Sequence, residues 1–332
     1  MKAMILAAGE GTRLRPLTLT LPKPMVPVAN TPLLVRTVEL LRRQGVEQLA
    51  VNLYHKPEAI RAHFGAALTY SDEPTLLGTA GGVKQLAGFL DTTFAVLYGD
   101  NLYDFALAPL LAFHRAKKAL VTIATFETPN PSACGLVITD EQGRVTRFQE
   151  KPRADEVFTN TANAGVYILE PEVLVRIPAG VACDFGRDIF PKLLEHAPGR
   201  MVALPLGGYL RDTGTPENYR QANWDLLGEQ TLLLAPSARV DAKAICEGRN
   251  ILGEGCLLLP DARLRESILW RNVKVGRGAT VSGAILGDSV QIGDRATVGE
   301  GAILGEGVVV APGAVVPPHA RIVADFDGRE KL

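Results

Sequence analysis

The spacing of apolar residues divides the chain into two parts with different periods. Up to about residue 227, short apolar runs alternate with segments whose apolar residues recur at helical spacing. This alternation predicts a Rossmann-like α/β domain, with a mixed, mostly parallel sheet flanked by helices. The predicted strands are Lys2–Leu6, Gln48–Leu53, Leu68–Tyr70, Phe94–Leu97, Leu120–Phe126 and Met201–Leu206. The predicted helices are Leu33–Arg43, Pro57–Phe64 and one that follows Gly81.

From about Val240 onward, apolar residues recur at every sixth position, with two breaks in the phase. The periodic residues are Val240, Cys246, Leu252, Leu258, Leu264, Val275, Val281, Leu286, Ile292, Val298, Leu304, Val310 and Val316. A six-residue repeat gives one short strand on each side of a triangular prism, so the pattern predicts a left-handed parallel β-helix. The phase breaks after Leu264 and Val281 predict loops or irregular corners.

The two periods also set the expected domain boundaries. We expect a first domain over residues 1–227, a connector over 228–236, the β-helix over 237–320 and a C-terminal tail over 321–332. A chain of 332 residues exceeds the usual size of a single hydrophobic core, which agrees with two domains.

Charge and composition narrow the classes of partner. The chain has 35 basic and 36 acidic residues and no basic stripe, so we expect neither nucleic acid nor a membrane surface as a partner. The N-terminal apolar run is too short for a signal peptide or a membrane span. The four cysteines are scattered, without the spacing of a zinc site or a disulfide framework. These features predict a cytoplasmic protein.

The strongest candidate for a binding site follows the first predicted strand. Gly9 and Gly11 let the backbone approach a polyphosphate, and Arg13 and Lys23 add two cations shortly afterwards. The dinucleotide-binding pattern would require glycine where Leu14 stands. Asp100 also follows a predicted strand, so we expect it at the same edge of the sheet as Gly9.

Residues Gly9 to Met25 resemble the G-x-G-T-R-L…P-K-P signature of the sugar-1-phosphate nucleotidylyltransferases. The resemblance continues in the family's order to about residue 225, and its further motifs are Leu77–Gly81, Gly99–Asn101, Glu150–Pro152, Asn163–Gly165 and Asp212–Pro216. Within the family, the chain is most similar to mannose-1-phosphate guanylyltransferases that carry a C-terminal hexapeptide domain.

The resemblance implies transfer of a nucleotidyl group from a nucleoside triphosphate to a sugar 1-phosphate, with release of pyrophosphate. Arg13 would stabilise the leaving pyrophosphate, Lys23 would contact the α-phosphate or the bridging region, and Lys151 would bind the phosphate of the sugar. Asp100 and Asp212 match the two aspartates that hold Mg²⁺ in the family, and hard Mg²⁺ prefers such carboxylate oxygens. The catalytic residues implied are therefore Arg13, Lys23, Asp100 and Lys151.

The family motifs also imply which residues contact the two substrates. The expected nucleotide-binding residues are Ala7, Gly9, Gly11, Thr12, Arg13, Glu73, Gly78 and Thr79, with Glu73 as a side-chain contact to the base. The expected sugar-phosphate-binding residues are Gly135, Glu150, Lys151 and Asn163. Base recognition through backbone groups leaves only a weak trace in a sequence, so the choice of nucleotide rests on the subfamily resemblance.

Several alternatives remain open at this point. GTP with mannose 1-phosphate is favoured, and UTP or dTTP with glucose 1-phosphate is the second possibility. A non-catalytic subunit that binds sugar nucleotides would have lost some of the charged residues, which are all present here. An acyltransferase activity of the repeats is not expected, because only His319 is available there as a base. We expect the β-helix to drive assembly into a homo-oligomer.

Overall fold

The computed structural model describes residues 1–328 of the chain. Contacts within the chain divide it into two units, each built from two separate stretches. The first unit takes Met1–Gly9 and Leu34–Arg211, and the second takes Glu10–Leu33 and the chain from Asp212 onward. The division between the units therefore falls inside the glycine-rich turn.

The first unit is built on a nine-stranded mixed sheet. Seven strands follow one path across it, in the order Val145–Glu150, Gly135–Thr139, Thr161–Leu169, Phe94–Tyr98, Lys2–Leu6, Gln48–Leu53 and Thr69–Asp72. The strand Val121–Glu127 also pairs with Thr161–Leu169, and Met201–Pro205 pairs with Val121–Glu127. A separate two-stranded sheet joins Asn101–Phe105 to Gly208–Asp212.

The centre of this sheet is parallel. The strand Lys2–Leu6 runs parallel to Gln48–Leu53 and to Phe94–Tyr98, and Leu6 stands opposite Asn52 and Tyr98. Because parallel strands end at the same edge, the residues that follow these strands come together there. The strand Thr161–Leu169 is antiparallel to its neighbours, which makes the sheet mixed.

The helices of the first unit pack beside this sheet. Leu33–Arg43 and Pro57–Phe64 have the predicted bounds, and Leu34, Val38 and Leu41 are buried as the helical spacing requires. The helix expected after Gly81 begins earlier, at Gly78. The α-helices are Leu33–Arg43, Pro57–Phe64, Gly78–Gln85, Leu107–Lys117 and Phe190–His196, and a π-helical turn Phe185–Ile189 precedes the last of these. No helix between residues 1 and 328 has the length and apolar character that a bilayer crossing requires.

The second unit contains the predicted β-helix, in which three parallel sheets run side by side. The first sheet has six strands, Leu232–Leu234, Asn250–Leu252, Ile268–Leu269, Ile285–Leu286, Ile303–Leu304 and Arg321–Ile322. The second has five, Arg239–Val240, Leu257–Leu258, Lys274–Val275, Gln291–Ile292 and Val309–Val310. The third also has five, Ile245–Glu247, Arg263–Arg265, Thr280–Ser282, Thr297–Val298 and Val315–Val316. The periodic apolar residues from Leu252 to Val316 belong to one buried cluster between the three sheets, and Val240 and Cys246 are partly buried against it.

Both predicted phase breaks are shortened corners of the β-helix. Leu252 stands opposite Leu269 and Leu269 opposite Leu286, so each of these two coils takes 17 residues, whereas the regular coil from Leu286 to Leu304 takes 18. The corners after Leu264 and Val281 are closed by Glu266 and Gly283, whose φ angles are 45° and 56°. One residue is missing at each corner and no loop is inserted.

Two strands of the first β-helix sheet lie outside the range 237–320 that was expected for it. Leu232–Leu234 pairs with Asn250–Leu252 inside the segment expected to be a connector. Arg321–Ile322 pairs with Ile303–Leu304 inside the segment expected to be a tail. The second unit also contains the helix Pro216–Leu227, which the hydroxyl of Thr215 caps by accepting a hydrogen bond from the backbone N–H of Asn218. Its stretch Glu10–Leu33 forms short 3-10 helices and the two-stranded sheet of Pro27–Val28 and Thr31–Pro32.

Candidate active site

The carboxyl edge of the central sheet carries the first group of candidate residues. The backbone N–H of Gly99 donates to the carbonyl of Leu6 at 2.8 Å, directly before Asp100. A Cβ at Gly99 would lie 2.8 Å from that carbonyl oxygen, so the close approach requires glycine. Asp100 therefore shares an edge with Ala7 and Gly9, as expected from the two strands that precede them.

A buried chain of hydrogen bonds holds Ala7 in place. The N–H of Ala7 donates to Oδ1 of Asn52 at 2.8 Å, and Nδ2 of Asn52 donates to Oε1 of Glu73 at 2.6 Å. The other oxygen of Glu73 accepts from the N–H of Leu77 at 2.9 Å. Glu73 is only 5% exposed, and both of its oxygens bind the protein. Glu73 therefore holds Ala7 and the segment before Gly78, and its expected contact with the base stays a prediction.

Gly78 and Thr79 are fixed against a later part of the chain. Gly78 has a φ of +71°, and a Cβ there would lie 2.6 Å from the carbonyl oxygen of Cys183. The hydroxyl of Thr79 donates to Asp184 at 2.7 Å and accepts from the N–H of Phe185 at 2.9 Å. Contacts with Cys183, Asp184 and Phe185 therefore anchor the backbone of Gly78 and Thr79.

A second group of residues surrounds the carboxylate of Glu150. Gly135 stands opposite Glu150 in the sheet, and a Cβ at Gly135 or at Gly186 would lie 2.5 Å from Oε2 of Glu150. Burial is the main reason that the pKa of Glu150 is raised, and the nearby carboxylate of Asp184 adds to it. The ammonium of Lys151 lies 3.9 Å from Glu150 and is largely exposed, so a cation remains available beside this half-buried acid.

Asn163 belongs to a network of side chains under the same part of the sheet. Its Oδ1 accepts from the N–H of Gly165 at 2.9 Å, and its Nδ2 donates to the hydroxyl of Tyr167 at 2.7 Å. Tyr167 in turn donates to the hydroxyl of Tyr98 at 3.1 Å. Burial raises the pKa of both tyrosines, so they remain neutral donors. The amide of Asn163 is thus held in one orientation.

The second unit contains the rest of the glycine-rich turn. Gly11 has a φ of +63° and precedes a short 3-10 helix, Thr12–Leu14, which places Thr12 and Arg13 in a tight turn. The carbonyl of Gly11 accepts from the N–H of Leu14 at 3.0 Å and from the hydroxyl of Thr18 at 2.8 Å. This conformation requires glycine, since other residues adopt a positive φ at a cost.

The two cations of the signature meet the predicted metal-binding aspartate of the same unit. Lys23 is 4% exposed, and its Nζ lies 3.6 Å from Oδ1 of Asp212. The same oxygen accepts from the N–H of Gly214 at 2.9 Å. The guanidinium of Arg13 also lies against Gly214, where a Cβ would clash with it. Arg13, Lys23 and Asp212 are therefore neighbours, although almost 200 residues separate them along the chain.

The donor chemistry at Asp212 suits a hard divalent cation. Its carboxylate is oriented by the N–H of Gly214 and keeps 46% of its side-chain surface exposed. Among residues 1–328, no cluster of three or more His, Cys, Asp and Glu side chains could enclose a metal ion by itself. A cation held here would therefore complete its coordination with oxygens from substrate phosphates and water, as Mg²⁺ commonly does.

Sequence reasoning missed several residues that hold the candidate site together. These are Asn52, Asp184, Gly186 and Tyr98. Asn52 leaves a visible signal, because it is a polar residue near the carboxyl end of an otherwise buried strand. Asp184 leaves a weaker signal, because its partner Thr79 is 105 residues away.

Comparisons with known proteins place both parts of the chain in described families. Residues 2–229 match the family model described as nucleotidyl transferase, and residues 229–324 match the model described as the GMPPB C-terminal domain. Nucleotidyl transferases of this family generally use a divalent metal.

The chain also resembles individual proteins. It is 35% identical to the mannose-1-phosphate guanylyltransferase of Mycobacterium tuberculosis over an alignment of 298 positions, which covers 87% of this chain and 80% of that protein. It is 34% identical to the UTP–glucose-1-phosphate uridylyltransferase of Synechocystis over an alignment of 331 positions, which covers 84% of this chain and 85% of that protein.

A solved structure supports the fold. A Bacillus anthracis protein named as a glucose-1-phosphate thymidylyltransferase superimposes with a TM-score of 0.61 at 21% identity, covering 67% of this chain and 94% of that one.

Proposed function

Because the chain belongs to the nucleotidyl transferase family and is a sugar-1-phosphate nucleotidylyltransferase, we propose that it makes GDP-mannose and pyrophosphate from GTP and mannose 1-phosphate. Similarity to proteins named as mannose-1-phosphate guanylyltransferases, from Mycobacterium tuberculosis and Arabidopsis thaliana, supports this choice. The match of residues 229–324 to the GMPPB C-terminal domain supports it as well.

A second candidate is uridylyl transfer from UTP to glucose 1-phosphate. The Synechocystis protein with that name is 34% identical to this chain over a comparable length. The two candidates share the reaction class and differ only in the base and the sugar, so the same site serves both.

The observation that carries the proposal is the grouping of Arg13 and Lys23 beside Asp212 in the second unit. Attack of a sugar-phosphate oxygen on the α-phosphorus needs no activated nucleophile, because the attacking oxygen already carries negative charge. The protein must hold two anions together and neutralise the charge on the transferring phosphoryl group. We assign Lys23 to the α-phosphate and Arg13 to the pyrophosphate that leaves.

The acceptor would lie beside Glu150 and Lys151. The exposed ammonium of Lys151 is suited to bind the phosphate of the sugar 1-phosphate, and the carboxylate of Glu150 accepts hydrogen bonds from sugar hydroxyls. Gly135 lets the carboxylate of Glu150 lie directly against its backbone, where a Cβ would clash with Oε2. Asn163, held by Tyr167, supplies a fixed amide to the same substrate.

The triphosphate would enter along the backbone of Ala7 to Thr12 and the segment of Gly78 and Thr79. We propose Asp212 and Asp100 as the carboxylates for Mg²⁺, which lowers the charge of the phosphates when it is bound. The residues of the chain then orient the two substrates, and Arg13 stabilises the charge that develops on the leaving group.

The substrate proposal is tested by measuring pyrophosphate release from the full-length protein. GTP with mannose 1-phosphate should give a kcat/KM at least about tenfold above that of UTP or dTTP with glucose 1-phosphate, since hydrogen-bonded base recognition discriminates strongly. A preference for UTP with glucose 1-phosphate would establish the second candidate instead.

The residue assignments are tested by substitution in the same assay. Arg13→Ala and Lys23→Ala should each lower kcat by about 100-fold or more, the effect of removing one charged contact to a transition state. Arg15→Ala is the matched control for Arg13, because its exposed side chain only forms an ion pair with Glu10. Full activity of Asp100→Asn would refute its role at the metal.

A further inference from the structure

On one face of the β-helix, a ladder of isoleucines points away from the core between the three sheets and is nevertheless buried. Ile251, Ile268, Ile285 and Ile303 stand opposite one another in the six-stranded sheet, and each is at most 2% exposed. None of them belongs to the core cluster between the three sheets, so they are buried on the outer side. The outward residues of the other two faces include exposed side chains, such as Val315 at 61%.

The ladder ends in a charged residue. Arg321 is the register partner of Ile303 and occupies the next outward position of the same face. Its Nη1 donates to the backbone carbonyl of Arg13 at 3.2 Å, and it also donates to the carbonyl of Arg15. The guanidinium thus bridges two carbonyls that flank Leu14 in the glycine-rich turn.

Other parts of the glycine-rich segment contact the same face. Pro16 lies on Gly305, since a Cβ at Gly305 would lie 3.2 Å from Cβ of Pro16. Further along, Nδ2 of Asn30 donates to the carbonyl of Leu252 at 3.0 Å. Together with the Arg321 contacts, these hold both ends of the segment Glu10–Leu33 on one sheet of the β-helix.

The helix Pro216–Leu227 lies on this face too. The indole N–H of Trp270 donates to the hydroxyl of Tyr219 at 2.9 Å, and Tyr219 donates to the carbonyl of Pro27 at 2.5 Å. The segment and the helix therefore share hydrogen bonds with the β-helix and with each other. The segment supplies Arg13 to the phosphate site proposed above. The chain just before the helix supplies Gly214, against which the Arg13 guanidinium lies.

We infer that Arg321 is a positioning residue for nucleotidyl transfer: it holds the main chain at Arg13 and so fixes where the Arg13 guanidinium points. This inference rests on the proposed function. The side chain of Arg13 lies against Gly214, and Arg321 holds its main-chain carbonyl. Removing Arg321 leaves Arg13 present but less well oriented, and small misplacements of a catalytic group cost rate.

The experiment compares Arg321→Ala, Arg321→Lys and a control, Arg263→Ala. Arg263 is an exposed arginine at an outward position of a different β-helix face. We expect Arg321→Ala to lower kcat by about tenfold, within the range that misplacement of a catalytic group can cost. The KM for the sugar phosphate should not change. Arg321→Lys, which keeps a donor for the carbonyls, should recover part of the loss, and Arg263→Ala should match the unmodified protein.

A double-mutant cycle with Arg13→Lys separates positioning from a general loss of structure. If Arg321 acts through Arg13, adding Arg321→Ala to Arg13→Lys should lower kcat by much less than tenfold. Multiplicative effects of the two changes would overturn the inference, as would an Arg321→Ala protein with normal kcat. An Arg13→Lys protein with normal kcat would instead overturn the proposed role of Arg13 itself.

Hydrogen exchange gives a readout that does not depend on activity. Amides of residues 10–16 should exchange faster in Arg321→Ala than in Arg263→Ala, while those of the β-helix core stay protected. Gly305→Ala perturbs the same contact without touching Arg321, because its added methyl group must displace Pro16. It should also speed exchange in residues 10–16. Unchanged exchange in both variants would contradict the inference.

Discussion

Replacing Glu73 by glutamine tests whether the buried chain of hydrogen bonds from Ala7 to Leu77 supports the proposed nucleotide site. Glu73 accepts hydrogen bonds at both oxygens, from Nδ2 of Asn52 and from the N–H of Leu77. Glutamine has the same shape but can accept on one side only. Its NH₂ group would face either the NH₂ of Asn52 or the N–H of Leu77, and turning Asn52 over would set its NH₂ against the N–H of Ala7.

Every arrangement of Glu73→Gln therefore leaves one buried pair of donors facing each other. An unsatisfied buried donor costs about 1–3 kcal/mol, so we expect a loss of about 2 kcal/mol in the stability of the first unit. For a unit of this size, that loss lowers the thermal midpoint by about 4–8 °C. Asp72→Asn is the matched control. The carboxylate of Asp72, next in sequence, is 67% exposed and pairs with Arg61, and such pairs contribute less than about 1 kcal/mol.

The measurement must report on the correct unit. Both tryptophans, Trp224 and Trp270, lie in the second unit, so their fluorescence does not follow the change around Glu73. Far-UV circular dichroism is suitable, because most of the α-helices belong to the first unit. The KM for the triphosphate should also rise, since Ala7 is held less firmly. Equal midpoints for Glu73→Gln and Asp72→Asn would refute this reasoning.

Three further predictions address other parts of the molecule. Leu286→Ala, at a fully buried position of the β-helix, should cost about 3–5 kcal/mol, measured by tryptophan fluorescence in urea. Gly78→Ala should raise the KM for the triphosphate more than Gly180→Ala does. Both glycines have a positive φ near 70°, but only the Cβ at Gly78 would meet a backbone carbonyl. Burial, and to a lesser extent the carboxylate of Asp184, raises the pKa of Glu150 in the folded protein. The protonated side chain is therefore favoured by folding, so its contribution to stability is present at low pH and is lost as the pH rises through that raised pKa. Glu150→Gln should remove this part of the pH dependence of the thermal midpoint, whereas the exposed control Glu141→Gln should not.

The fold was predictable where the pattern of apolar residues is local and regular. The strands Lys2–Leu6 and Gln48–Leu53 and the helix Leu33–Arg43 have the predicted bounds, because each is bounded by turn residues and has a clear period. The six-residue pattern predicted the β-helix because every coil needs an inward apolar residue at the same position of each strand. The position of Leu269 was missed because the corner before it lacks one residue.

Prediction failed where a strand gives no distinct period or a partner is remote. The strand Thr161–Leu169 is almost entirely buried, and the sequence does not show that it inserts antiparallel beside Phe94–Tyr98. The role of Glu73 depends on Asn52, which lies 21 residues away along the chain and comes to it only in the folded structure. The assigned roles of Arg13, Lys23 and Asp100 remain predictions from motifs.

The glycine-rich turn shows why a short signature depends on the whole chain. At its start, Ala7 is held by Asn52, which lies 45 residues away. At its end, Arg13 is held by Arg321, which lies 308 residues away in a strand of the β-helix. The glycines give the backbone its conformational freedom, and these distant polar contacts restrict it to one arrangement. An arginine in a glycine-rich turn needs both, because a flexible backbone by itself would leave its guanidinium without a fixed direction.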